Sequence, residues 1–168
     1  MDFAYTPQQE ALRRDVQQFI KENVTEDVIE EVESQDHPAG GGARGGGPKV
    51  TALFKKIHAR GWLGITYPKE YGGQGGDRIS QYIVEEEFVR IGIPVGLGGS
   101  GAPAIMAAGT EEQKRHFIPK LISREFSFAL GFTEPQVGAD LASLRCSAAR
   151  DGDHYVIIGQ KMYTSTAH

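Results

Sequence analysis

The chain has 168 residues, a net charge of -4, one cysteine and 22 glycines, a length that fits one ordinary domain or one domain and part of a second. The lone Cys146 excludes a disulfide framework and a cysteine-only zinc site, and the mild acidity argues against a general nucleic-acid binder. An apolar content of 39% and a negative mean hydropathy, with no apolar run near the roughly 20 residues a spanning helix needs, give no membrane span. Glycine, at about 13%, is nearly twice its usual ~7%, without a collagen-like period.

Met1 to Glu10 carries Asp2 and Glu10 and no long apolar stretch, so it reads as the start of a folded element and not as a targeting peptide. The expected location is the reducing cytoplasm, and a mitochondrial form without its transit peptide would share these features. Thr6-Pro7-Gln8-Gln9 is a helix start, with Thr6 as cap, Pro7 in the first turn and Gln9 at the capping-box spacing. Leu12, Val16, Phe19 and Ile20 then form one apolar stripe, and the acidic stretch from Glu26 to Asp36 is expected to extend or close this helix. Six glycines in eight positions from Gly40 to Gly47 lie within a segment, 37–48, expected to be a mobile surface loop. A phosphate-cradling loop is the alternative there, although the Gly-Lys-Ser/Thr ending of a P-loop is missing.

Val50, Leu53, Phe54 and Ile57 predict a second helix ending near Gly61. After the apolar Trp62-Leu63-Gly64-Ile65 and a glycine-rich turn, Ile79, Ile83, Val84, Phe88 and Val89 predict a third, with Glu85 to Glu87 as a solvated face. Ala102 to Ala108 is expected to be a short buried helix. Thr110 and Gln113 repeat the capping-box pattern ahead of Phe117, Ile118 and Leu121, which are expected to face inward. From Phe126 the period changes. Phe126, Phe128, Leu130 and Phe132 alternate with small residues as in a strand, and Leu144, Cys146 and Ala148 alternate again. Asp151-Gly152 signals a hairpin returning through Tyr155 to Ile158, and Lys161 to Ser165 reads as a further strand. The expected class is α+β: an all-helical domain over 1–125, then over 126–168 the truncated start of an antiparallel β domain.

Few residues offer self-sufficient chemistry. Gly96 to Gly101 matches G-x-G-x-x-G, but the preceding segment is broken by Gly92 and Pro94, and no βαβ context surrounds it. A tight connection between helices is the other reading. His37, His58, His116, His154 and His168 lack metal-ligand spacing, so no metal site is expected. The segment Gly131-Phe132-Thr133-Glu134-Pro135-Gln136-Val137-Gly138-Ala139-Asp140 is either a capped β-turn or a loop whose backbone and hydroxyl groups meet a cofactor.

Four ordered segments resemble the acyl-CoA dehydrogenase family. They are Gly61-Trp62-Leu63-Gly64 with Tyr67-Pro68-Lys69-Glu70-Tyr71-Gly72-Gly73; Gly109 to Lys114 with Ile118 to Leu121; Phe132-Thr133-Glu134-Pro135 with Gly138 and Asp140; and Gly159 to Ser165. The resemblance implies a flavoprotein that dehydrogenates the α–β bond of an acyl-CoA thioester with FAD, passing electrons to an electron-transferring flavoprotein or similar acceptor. It implies a homo- or heterotetramer when full length. It makes Leu130, Phe132, Thr133 and Gly138 flavin-contacting, Tyr163 the aromatic that packs on the flavin, and Thr164 and Ser165 the hydroxyl residues beside it. Ala139 stands where the family commonly has serine, and Thr164-Ser165-Thr166-Ala167 also departs from the usual segment. Such departures suit a bacterial branch acting on steroid or other bulky side-chain thioesters, some of whose members are heteromers. The family's catalytic glutamate belongs to a C-terminal helical domain, so no catalytic residue is assigned within the chain, and Glu134 is read as structural. A non-catalytic partner subunit, and a fold-related acyl-CoA oxidase or flavin monooxygenase, are the competing functions.

Overall fold

The computed structural model describes residues 4–34, 47–97 and 101–164. Most of the glycine-rich segment (37–46), the middle of the G-x-G-x-x-G match (98–100) and Ser165 lie outside the described residues. The chain divides into two compact units, residues 1–127 and 128–168. The class is α+β, with helices in the first unit and a two-stranded antiparallel sheet in the second.

In the helical unit, α1 (Pro7–Asn23) opens on a reciprocal cap. The Thr6 hydroxyl accepts from the Gln9 N–H, and the Gln9 side chain accepts from the Thr6 N–H. Val16 and Phe19 are buried, whereas Leu12 and Ile20 are only half-buried. The acidic stretch neither extends nor closes α1. It forms its own helix, α2 (Glu26–Glu33), because Val24 and Thr25 both adopt extended backbone and end the first one. The β-branched pair costs the helix little to exclude. α3 (Pro48–Ala59) starts at Gly47, which has no capping side chain. Glu31 of α2 supplies the cap from a distance: its carboxylate accepts from the Val50 N–H at 2.7 Å and the Lys49 N–H at 3.3 Å. Val50, Leu53, Phe54 and Ile57 all point into the core.

Trp62 to Ile65 run buried into a short 3₁₀ turn, Lys69–Tyr71. The chain doubles back so tightly here that a Cβ on Gly73 would sit 2.1 Å from the Tyr67 carbonyl oxygen. Only glycine fits. α4 (Arg78–Val89) is capped by Asp77, which accepts from the Ser80 N–H at 2.8 Å, and it packs along α1. Ile83, Val84 and Phe88 are buried, and Phe88, Phe19 and Trp62 meet edge to face with centroids 5.1 to 6.3 Å apart. Two expectations fail on α4. Ile79 and Val89 are exposed, at 50% and 57%, because the buried stripe is the one facing α1. Glu87, expected on the solvated face, is buried on that stripe; the Arg13 Nε donates to it at 2.8 Å and the Gln17 amide at 3.0 Å.

α5 (Gly101–Ala108) is not the buried helix the alanines imply: only Gly101 and Ala102 are inside, and the other residues are exposed or half-buried. Small side chains remove little area from water, so the segment has weak reason to bury. α6 (Glu111–Ile122) carries the second reciprocal cap, Thr110 with Gln113. Ile118, Leu121 and Ile122 are buried, while Phe117 is half-buried and shares its ring with His116 and Phe126.

In the second unit, β1 (Ser147–Asp151) pairs with β2 (His154–Ile158), Ser147 opposite Ile158 and Asp151 opposite His154. The register puts Gly152 and Asp153 in the turn, one residue beyond the Asp-Gly pair read from sequence. Gly152 takes the positive φ, 62°, that a two-residue hairpin asks of glycine. The segments around Phe126 to Phe132 and Lys161 to Thr164 are not strands, and among the described residues two strands stand where three or more were expected. Alternation describes side chains, but a strand exists only where a second backbone completes the ladder. No helix among the described residues is long and apolar enough to cross a membrane, and no group of three metal-ligating side chains occurs there.

Candidate functional site

The site begins with a four-residue turn. The Glu134 N–H donates to the Val137 carbonyl and the Val137 N–H donates back to the Glu134 carbonyl, both at 3.0 Å, with Pro135 and Gln136 at the corner. Proline suits that corner because its φ is already set. The turn points the Glu134 side chain inward, where it is 3% exposed. Four donors converge on its carboxylate: the Arg145 and Cys146 N–H groups at 2.8 Å each, the Lys161 ammonium at 2.9 Å and the Gln136 amide at 3.0 Å. The Arg145 amide and then the Lys161 ammonium hold this carboxyl down at about 2, against the burial that opposes ionisation. Glu134 is thus ionised at neutral pH and staples three stretches of chain together.

The same staple brings two stretches of candidate residues side by side. Lys161 also donates to the Phe132 carbonyl at 3.1 Å, and the Met162 N–H donates to the Thr133 carbonyl at 2.8 Å. Gly131 lies against the next residues along: a Cβ there would come within 3.4 Å of the Thr164 hydroxyl oxygen. Residues 131–134 and 161–164 therefore form one surface. Phe132 is 53% exposed on it and Tyr163 is 83% exposed. Tyr163 holds a φ of 54°, left-handed backbone that a tyrosine adopts only at a cost, of order 1 kcal/mol. Thr133 and Thr164 are half-buried, with Leu130 at 37% exposure before them. Gly138 and Ala139 lie beyond the turn, exposed, without a hydrogen bond to 161–164 among the described residues. Ser165 lies outside the described residues.

Such a surface can receive a flat, largely apolar group and offer it hydroxyls. Proton abstraction is not available from its one carboxylate, which is buried and fully engaged. The lysine was missed in the sequence, since a Glu and a Lys 27 positions apart obey no local spacing rule. A buried acid before proline in a turn was the only available hint.

The family model for the acyl-CoA dehydrogenase N-terminal domain matches residues 6–125. The acyl-CoA dehydrogenase FadE26 of Mycobacterium tuberculosis is 42% identical over 167 residues, 98% of this chain and 40% of that protein. Among solved structures, the ChsE4–ChsE5 complex from Mycobacterium tuberculosis matches with a TM-score of 0.79 and 40% identity, over 99% of this chain and 40% of that one. The Tcur3481–Tcur3483 steroid ACAD matches with a TM-score of 0.74 and 35% identity, over 98% and 41% respectively. The chain spans about 40% of the length of these relatives. A family model that covers residues 6–125 and a relative sharing 42% of its residues across nearly the whole chain make this chain a member of the acyl-CoA dehydrogenase family.

Proposed function

We propose that the chain belongs to an FAD-dependent enzyme that dehydrogenates the α–β bond of an acyl-CoA thioester, and that Leu130, Phe132, Thr133, Gly138, Ala139, Tyr163, Thr164 and Ser165 contact its cofactor. The supporting observation is the single surface made by 131–134 and 161–164, tied by the Met162–Thr133 and Lys161–Phe132 bonds. The residues present fit the group. Phe132 and Tyr163 offer exposed rings, Thr133 and Thr164 offer hydroxyls, and the unfavourable backbone of Tyr163 makes sense where a ligand uses the ring. At Gly138 a Cβ would meet nothing within 4 Å, so the chain's own packing does not require glycine, whereas a ligand approaching the main chain would. FAD, when bound, supplies the hydride acceptor. The chain orients that group and shields it from water, and Glu134 keeps the two segments in register.

On this reading 1–125 is the helical domain and 126–168 opens the flavin-binding β domain. The acid–base residue is not among these 168. Ala139 offers no hydroxyl toward the cofactor's phosphates or CoA, which removes about 1 kcal/mol of binding. The substrate class is a bulky or steroid side-chain thioester, supported by the likeness to the steroid ACAD, with an electron-transferring flavoprotein as acceptor and the cytoplasm as location. Full-length protein should be yellow and lose its flavin absorbance anaerobically on addition of a steroid side-chain CoA thioester. A colourless protein that takes up no FAD would contradict the reading, and oxygen consumption without another acceptor would make it an oxidase.

A second reading has its own support. The ChsE4–ChsE5 and Tcur3481–Tcur3483 structures each name two proteins, and Ala139 lacks a phosphate-side hydroxyl, which suits a non-catalytic partner in a heteromer. Activity of the full-length protein in the absence of any second subunit would sink it.

A further inference from the structure

Lys161 does more than close the Glu134 staple. Its ammonium donates to the Glu134 Oε1 at 2.9 Å and also to the Phe132 carbonyl oxygen at 3.1 Å. The lysine side chain is 30% exposed, so water was available for that second bond, yet the bond goes to the main chain. Holding the two segments together does not need a charge. A neutral donor, the Met162 N–H, reaches the very next carbonyl, that of Thr133, at 2.8 Å.

The Phe132 carbonyl and the Thr133 N–H belong to one trans peptide, so they point in opposite directions. A cation on the oxygen polarises the whole unit and makes the N–H on its far side a stronger donor. That N–H meets no acceptor among the described residues. Charge is also scarce here. Across 128–144 and 159–164, Lys161 is the one cation in the sequence, against Glu134 and Asp140 as anions. Without the lysine these stretches carry negative charge alone.

We propose that Lys161 is a positioning residue for hydride acceptance: acting through the Phe132–Thr133 peptide, its charge favours the reduced flavin over the oxidised one. This role rests on the flavin reading. A hydride is one proton with two electrons, so breaking the thioester's β C–H bond and passing its hydride to the ring leaves the ring one unit more negative. A positive field there stabilises the outcome of the transfer more than its starting state. A unit charge acting over about 10 Å at an effective dielectric of about 20 changes such an equilibrium about tenfold.

The test is reductive titration of the FAD-loaded full-length protein with dithionite against a reference dye, without thioester. Lys161→Gln keeps an amide donor for the Phe132 carbonyl and removes the charge. Glu134 stays ionised in that variant, because the Gln136, Arg145 and Cys146 donors remain. The flavin should become about tenfold harder to reduce, a fall of about 30 mV for two electrons. Glu134→Gln removes the opposite charge and should raise the potential by a similar amount. Lys161→Arg keeps the charge and should match the wild type. Opposite shifts are the signature, since a lysine that merely holds the loop would move both neutral variants the same way. Shifts of one sign, or an unmoved potential in Lys161→Gln, would overturn the proposal. If Lys161→Gln fails to hold FAD, the other two variants decide: a rise in Glu134→Gln beside an unmoved Lys161→Arg supports the role, and any other pair of results overturns it. A wild type that takes up no FAD would sink the flavin reading and this role with it, whereas FAD-loaded variants with unmoved potentials would sink the role alone.

Discussion

Glu134 shows how one buried residue can set a surface. Four donors meet its carboxylate, and they come from its own turn, from the start of the hairpin and from Lys161. Its carboxyl sits at about 2, below the ordinary 4.5. A carboxyl depressed in the fold adds stability that is complete above about pH 4.5 and is lost as the pH falls toward 2. Glu134→Gln removes the charge and turns amide hydrogens toward donors. It should lower the melting temperature at pH 7 by ~5 °C or more. Below pH 4.5 the wild type should lose stability faster than the variant, until the two converge near pH 2. Thermal melts across that range check both. Parallel curves for the two proteins would show that the carboxylate does not hold the segments.

At the scale of elements, the caps and apolar stripes were readable because they are local. Thr6 with Gln9, Thr110 with Gln113 and the four inward residues of α3 each follow from a spacing of three or four. The misses share the opposite property. Glu87 looked like part of a wet triplet, yet its partners Arg13 and Gln17 stand on α1, about 70 residues away in sequence. Glu31 caps a helix it does not belong to. The alternating run from Phe126 to Phe132 lacked only what a sequence window cannot show, a neighbouring strand. Burial pushes the Glu87 carboxyl upward, and the bonds from Arg13 and Gln17 with the charge of Arg90 outweigh it, leaving it ionised. Glu87→Ala takes the partner from the half-buried Arg13 at the α1–α4 contact, while the exposed Gln17 turns to water, and should cost about 1–2 kcal/mol in urea unfolding. Arg13 is 28% exposed and can turn to water, which keeps the loss near the lower end. A cost below 0.5 kcal/mol, on the order of a surface substitution, would remove Glu87 from the account of how α1 and α4 hold.

Across the molecule, the two units differ in how well they cover themselves. The helical unit buries an aromatic trio and the faces of α1, α3, α4 and α6. The hairpin buries neither face: Tyr155, Ile157 and Ile158 are 65%, 74% and 61% exposed. A two-stranded hairpin with both faces wet is marginal, and an apolar one invites association. These 168 residues, purified alone, should therefore self-associate at micromolar concentration, and Val156→Thr with Ile157→Lys should reduce that in sedimentation velocity. A monomer with sharp hairpin hydrogen-exchange protection would contradict this. The surface proposed to face the flavin was legible only through four ordered motifs taken together, because each alone is an ordinary turn or core fragment. The spatial meeting of 131–134 with 161–164 depends on a buried ion pair that leaves no trace in local sequence.

Tyr163 offers the most direct test. It is 83% exposed and held at a φ of 54°, so its ring contributes little packing and its backbone favours glycine. If the ring serves the flavin, Tyr163→Gly in the full-length protein should leave the unfolding free energy of the cofactor-free form unchanged or raise it by up to ~1 kcal/mol of relieved strain, while weakening FAD binding about tenfold, as for loss of one stacking contact. Titration of the cofactor-free variant with FAD, followed by flavin fluorescence, measures it. Unchanged FAD affinity would contradict the assignment of this surface to the flavin.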